Sequence, residues 1–142
     1  MRTLLVDDRF DSSTIIADWL SEFFGAVWIE LAASREEALS AIQRRCPELM
    51  LVTHRMPAVN GVELARLIKA RPSPPVVVVI GTGNEGELER QCTAAGADFW
   101  VEKRHLQARL LAFLQERFSQ AWAARVLARR ISAISLVRQQ AR

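Results

Sequence analysis

Five short apolar runs, separated by stretches of helical periodicity, constrain this chain more than any other feature. The runs are residues 2–6, 26–31, 49–52, 76–80 and 99–101. The fourth is Val-Val-Val-Val-Ile, so β-branched that it reads as a central strand buried on both faces. After the first run, Ser12 and Ser13 can cap a helix in which Ile16, Leu20 and Phe23 share a face, with Trp19 beside them. Gly25 ends that helix. Ser34 and Glu37 form a capping box ahead of Ala38, Leu39 and Ile42. Asn60 with Glu63, and Asn84 with Glu87, open two further helices, marked by Leu64, Leu67 and Ile68 and by Leu88, Cys92 and Ala95. Strands that alternate with helices are joined by crossovers and pair in parallel. The expected architecture is α/β: a doubly wound, flavodoxin-like, five-stranded parallel sheet in three layers.

The middle of the chain shows where such a sheet presents its chemistry. The run Leu49-Met50-Leu51-Val52 ends abruptly in Thr53 and His54. Met56-Pro57 then forces a loop, because proline fixes its own φ and removes a donor. Asn60-Gly61 supplies turn chemistry and a helix cap. The last residue of this buried strand therefore faces a crevice at the carboxyl edge of the sheet, where open α/β sheets bind their ligands. Asp7 and Asp8 end the first strand at the same edge, and Lys103 follows the last.

This layout resembles the receiver domain of response regulators, the CheY-like modules of two-component signalling. The resemblance covers residues 1 to about 118. Asp7-Asp8 match the acidic pair that holds a divalent metal. The apolar strand, the Met-Pro loop and Asn60-Gly61 match the segment that surrounds the phosphoacceptor. Gly96-Ala97-Asp98 followed by Lys103 matches the family's ending, where the lysine reaches the acceptor. The departures are as specific. Thr53 stands where the family has the acceptor aspartate. Ile80 and Gly81 lie near the place of its phosphoryl-sensing Ser or Thr, with Thr82 one or two residues late. Arg104 replaces the proline after the lysine, and Trp100 sits where a rotating Tyr or Phe is usual.

Receiver phosphorylation requires a carboxylate nucleophile and a Mg²⁺ ion bridging it to the incoming phosphoryl group. A threonine hydroxyl is neutral and a weak nucleophile without an adjacent base. His54 is next in sequence, but successive strand residues point to opposite faces, which makes it a poor candidate base. Two carboxylates remain of the usual three, so Asp7 and Asp8 form a weak or relict metal site and no cofactor beyond weakly held Mg²⁺ is expected. Losing the third carboxylate also relieves about 4 kcal/mol of repulsion per pair at about 4 Å and an effective dielectric near 20. A stable metal-free crevice follows, with Lys103 pairing with Asp7 or Asp8.

The charge is unevenly spread. Residues 1–116 carry 13 basic and 16 acidic side chains, whereas residues 117–142 carry six arginines and no acid. Receivers end near residue 118, which divides the chain into a receiver-like domain, 1–118, and a helical extension, 119–142. From about His105 a helical pattern runs to the end, with an apolar stripe through Leu111, Leu114, Phe118, Trp122, Leu127, Ile131 and Ile134. Such a stripe needs a covering surface, and a second copy is the simplest, since most oligomers are symmetric homodimers. No helix-turn-helix or other reader motif accompanies the arginines, so nucleic acid is not the expected partner. No apolar run reaches about 18 residues, Met1 leads straight into a strand without a signal-peptide layout, and Cys46 and Cys92 lack metal-type spacing. These features point to a cytoplasmic protein with reduced thiols and no membrane partner. The sequence thus describes a non-enzymatic, atypical receiver that signals through contacts with itself and with another signalling protein. Its rivals are a conventional phosphorelay receiver with an unusual acceptor, a nucleic-acid or anionic-surface binder, and a linker leading to an output domain.

Overall fold

A computed structural model describes residues 1–24, 28–56, 59–81 and 85–118. In chain order the elements are β1 (Arg2–Val6), α1 (Phe10–Phe24), β2 (Trp28–Ala32), α2 (Arg35–Arg44), β3 (Leu49–Thr53), β4 (Arg55–Met56), β5 (Val59–Asn60), α3 (Gly61–Lys69), β6 (Val76–Gly81), α4 (Glu85–Ala95), β7 (Phe99–Glu102) and α5 (Leu106–Arg117). A 3₁₀ turn, Lys103–His105, leads into α5. Five strands form one parallel sheet in the order β2-β1-β3-β6-β7. This is the flavodoxin-like, CheY-like arrangement expected from the alternation.

Strand position explains composition. The inner strands β3 and β6 are buried along almost their whole length, and β1 from Thr3 onward. They therefore read as unbroken apolar runs. The edge strand β2 leaves Trp28 and Leu31 exposed. One face of the sheet packs on α2, α3 and α4 through Ala38, Ile42, Leu64, Ile68, Leu88 and Cys92. The other packs on α1 and α5 through Ile16, Trp19, Leu20, Phe24, Leu110 and Leu114. Each fully buried side chain of this kind contributes about 1.5–3 kcal/mol.

Local signals largely hold. Asn60 Oδ1 accepts from the N–H groups of Val62 and Glu63 and so caps α3. Ser34 Oγ accepts from Glu37 N–H, while the Glu37 carboxylate accepts from Ala33 N–H, one residue before the usual capping-box donor. Gly96, at φ +85°, closes α4 in the left-handed region that glycine adopts freely.

Four expectations need correction. Helix α1 begins at Phe10, so Ser12 and Ser13 lie inside it rather than at its cap; Ser13 is buried and its hydroxyl donates to Arg9 O. Phe24, not Phe23, completes the core face of α1, and Phe23 is exposed. Leu67 of α3 also faces outward. The segment after Thr53 is not all loop, because Arg55–Met56 and Val59–Asn60 pair as a two-stranded antiparallel ribbon. Pro57, Gly25, Thr82 and Asn84 lie outside the described residues. Helix α5 runs through Arg117, and Phe118 (φ −115°, ψ 31°) has left helical geometry. The extension with Trp122, Leu127, Ile131 and Ile134 lies outside the described residues. No described helix is long and apolar enough to cross a membrane.

Candidate functional site: the crevice at the carboxyl edge

Parallel pairing brings the strand ends together. Register places Val6 beside Val52, Thr53 beside Ile80, and Gly81 beside Glu102. The residues at or just beyond these ends line a crevice of about 280 Å³: Asp7, Asp8, Arg9, Ile16, Thr53, Ile80, Gly81 and Lys103. All four crevice residues expected from sequence, Asp7, Asp8, Thr53 and Lys103, are therefore gathered in one place. His54 is not among the lining residues, in keeping with the alternation of a strand.

Each group is held by identifiable contacts. Asp7 is only 7% exposed. Its N–H donates to Ala32 O, which extends the β1–β2 pairing by one residue. Its Oδ1 accepts from Arg9 N–H at 3.0 Å, a local turn that occupies part of the carboxylate. Asp8 is exposed. The loop beyond Thr53 is fastened by His54 N–H donating to Ile80 O (2.8 Å) and Gly61 N–H donating to His54 O (3.0 Å). A Cβ on Gly61 would lie 2.5 Å from Thr53 O and 2.8 Å from His54 Cα, so the close return of the chain beneath Thr53 demands glycine.

Lys103 does not behave as expected. Its Nζ donates to Ser12 Oγ at 3.4 Å. Among the described residues it makes no ion pair with Asp7 or Asp8. The reason is local: α1 starts early enough to bring Ser12 to the lysine, and Asp7 is already engaged by the backbone. Two acids and two bases (Asp7 and Asp8, Arg9 and Lys103) thus face one concavity.

The donor set does not fit a resident Mg²⁺ ion. Mg²⁺ takes oxygen ligands in strict octahedral geometry. Here Thr53 contributes a neutral oxygen, Asp7 Oδ1 already accepts from Arg9 N–H, and no group of three Asp, Glu, His or Cys side chains that could hold a metal occurs among the described residues. The side chains named as switch positions are packed. The position of Gly81 is filled from outside by α4, since a Cβ there would come 2.1 Å from Leu88 Cδ2. Trp100 is half-buried against the cluster that contains Leu88, Cys92 and Ala95, and the Arg109 guanidinium lies 5.8 Å from its ring centroid.

Three residues of the site escaped sequence reading. Arg9 and Ile16 line the crevice, and Ser12 holds the lysine. Arg9 carried a signal in its adjacency to Asp7-Asp8. Ser12 carried a misleading one, because a serine near a helix start resembles a cap.

A parallel sheet whose carboxyl edge combines an Asp-Asp pair, a strand-end residue above a ribbon, and a lysine after the last strand defines the receiver class. The chain belongs to the response regulator receiver domain family, whose model matches residues 3–115, and that membership places it in two-component signalling. It is 31% identical over 103 residues to the transcriptional activator protein ExaE of Pseudomonas putida, covering 72% of this chain and 48% of that protein. It is 34% identical over 82 residues to a protein-glutamate methylesterase/protein-glutamine glutaminase of Desulfotalea psychrophila, covering 58% of this chain and 22% of that protein. The chain thus spans less than half the length of these relatives. In fold it is similar to the signal receiver domain of a DNA binding response regulator from Colwellia psychrerythraea 34H. The TM-score is 0.78 at 16% identity, over 84% of this chain and 98% of the other.

Proposed function

We propose that this chain is an atypical receiver that works without phosphorylation, passing its signal by protein–protein contact and pairing with a second copy through residues 119–142. One observation carries the reading: Thr53, the last residue of β3, lines one crevice with Asp7, Asp8 and Lys103, at the strand end where the family resemblance puts the acceptor. Acyl-phosphate formation needs a carboxylate there, and a hydroxyl without a base does not replace it. The neutral side chain also removes the third anion that would draw Mg²⁺ into the site. Lys103 supports the same view, because at the crevice wall its Nζ donates to Ser12 Oγ and makes no ion pair with Asp7 or Asp8 among the described residues.

The test is intact-mass measurement after incubation with acetyl phosphate and Mg²⁺. The expected result is an unchanged mass. Gain of one phosphoryl group, lost again in hydroxylamine, would place an acyl phosphate on another carboxylate and restore the conventional phosphorelay reading.

A further inference from the structure

We propose that the groove between the edge strand β2 and helix α2 is the seat for residues 119–142 of a second copy of this chain. The proposal rests on the reading that the tail pairs two chains, and it adds the surface that receives it. The groove encloses about 420 Å³ and is lined by Glu30, Leu31, Glu36, Glu37, Ser40 and Arg44. Three acids face one base. Glu30 accepts from Arg44 at 2.6 Å, and Glu37 accepts from Ala33 N–H. Glu36 makes no ion pair among the described residues. The groove is therefore a negative trough with one charge fully available.

It also has an apolar element: Leu31, which lines it, is 43% exposed. Strand β2 ends the sheet, so its outer backbone groups have no strand partner among the described residues. An exposed edge with a large apolar side chain is a surface that calls for a cover. The tail has the complementary chemistry: Arg125, Arg129, Arg130, Arg138 and Arg142, no acid, and Trp122, Leu127, Ile131 and Ile134 in the same stretch. Arginine is suited to carboxylate recognition because its planar fork matches two oxygens. The larger cavity beside the crevice does not suit this tail. Its lining includes Lys103 and Arg104, charges of the same sign as the tail's arginines.

Position argues for a second copy. Helix α5 packs on the α1 face, next to β7, whereas α2 packs on the opposite face and β2 is the far edge of the sheet. Four strand spacings, about 19 Å, separate β7 from β2. From Phe118 the chain's own groove lies on the other face and at the far edge of the sheet, whereas a neighbouring molecule can present its tail without passing round that edge. The 24 residues after Phe118 extend about 36 Å even if fully helical, enough to bridge to a neighbour.

The experiment is a cysteine cross-link in the full chain with Cys46→Ser, which removes the exposed native thiol; Cys92 is buried. One population carries Ser40→Cys, an exposed groove position that keeps all three acids, a second carries Leu127→Cys, and the two are mixed and mildly oxidised. A control population carries Gln91→Cys, an exposed position on α4. The expected result is a disulfide joining Ser40→Cys to Leu127→Cys between chains, and little product with Gln91→Cys. Equal product with Gln91→Cys overturns the proposal, and so does absence of product in a mixture that sediments as a dimer. In that second case pairing through the tail still stands and only the groove is wrong. A mixture that sediments as a monomer overturns both readings. As an independent check, Glu36→Arg should weaken dimerisation about tenfold at low salt, and an unchanged dimer affinity rejects the groove.

Discussion

Thr53 is the residue on which the reading turns, and its surroundings make it testable. Asp7, Asp8 and Lys103 already line the crevice around it. Thr53→Asp supplies a third carboxylate with little change in volume, so Mg²⁺ affinity should rise about tenfold or more, measured by titration calorimetry against the parent. A variant that binds no better would show that Thr53 does not occupy the acceptor's place. Cys92 gives a second prediction. Burial pushes its thiol from an ordinary 9.0 up to about 11. The folded state thus favours the neutral form beyond the pH at which the unfolded chain ionises. Its contribution to stability is complete below about pH 9 and declines from there through pH 11. Denaturant unfolding should show that decline in the parent and lose part of it in Cys92→Ala. In the same range a thiol reagent should modify Cys46, which is exposed, well before Cys92.

At the scale of elements, Asp98 ties three together. It begins the turn into β7, and its Oδ2 accepts from Lys69 Nζ of α3 and from Val77 N–H of β6, both at 2.8 Å. Lys69 Nζ also donates to Pro75 O. The ion pair is partly buried, with side chains 19% and 25% exposed. Asp98→Ala leaves Val77 N–H without this partner and should destabilise the fold by about 1–3 kcal/mol in urea unfolding. Asp98→Asn should recover part of that loss, because an amide oxygen still accepts from Val77. No such reach extends to the crevice, so the Mg²⁺ response of Thr53→Asp should persist in an Asp98→Asn background. The ribbon β4–β5 belongs to this scale as well. It returns the chain close under Thr53, which Gly61 alone allows.

For the whole molecule the proposal to test is association. Three or four large tail side chains offer about 1.5–3 kcal/mol each on burial, against an association cost of about 4–15 kcal/mol. Two tails contribute, so the balance favours pairing only modestly and the dimer should be sensitive to conditions. Sedimentation of the full chain should show a dimer at micromolar concentration that weakens as salt is added, because arginine–carboxylate attraction across the groove is screened. Truncation after Phe118 removes no described core residue and should leave a folded monomer. A truncated chain that still dimerises would move the interface onto the sheet-and-helix body.

The order of strands and helices, the burial of the central runs and the four crevice residues were legible in the sequence, because each depends on short-range pattern. Continuous apolar runs declare strands buried on both faces, and polar residues at their carboxyl ends declare the functional edge. Asn60 and Ser34 announced their helices for the same local reason. What tertiary structure alone decided were choices between neighbours that share a pattern. Phe23 and Phe24 are both suitable for a core, and only the docking angle of α1 on the sheet selects Phe24. Lys103 had two nearby acids to pair with, and the early start of α1 gave it Ser12 instead. Leu88 over Gly81 and the acidic trough beside β2 join side chains from different elements. Distance along the chain carries no information about such meetings; they exist only once the sheet has set every element in its place.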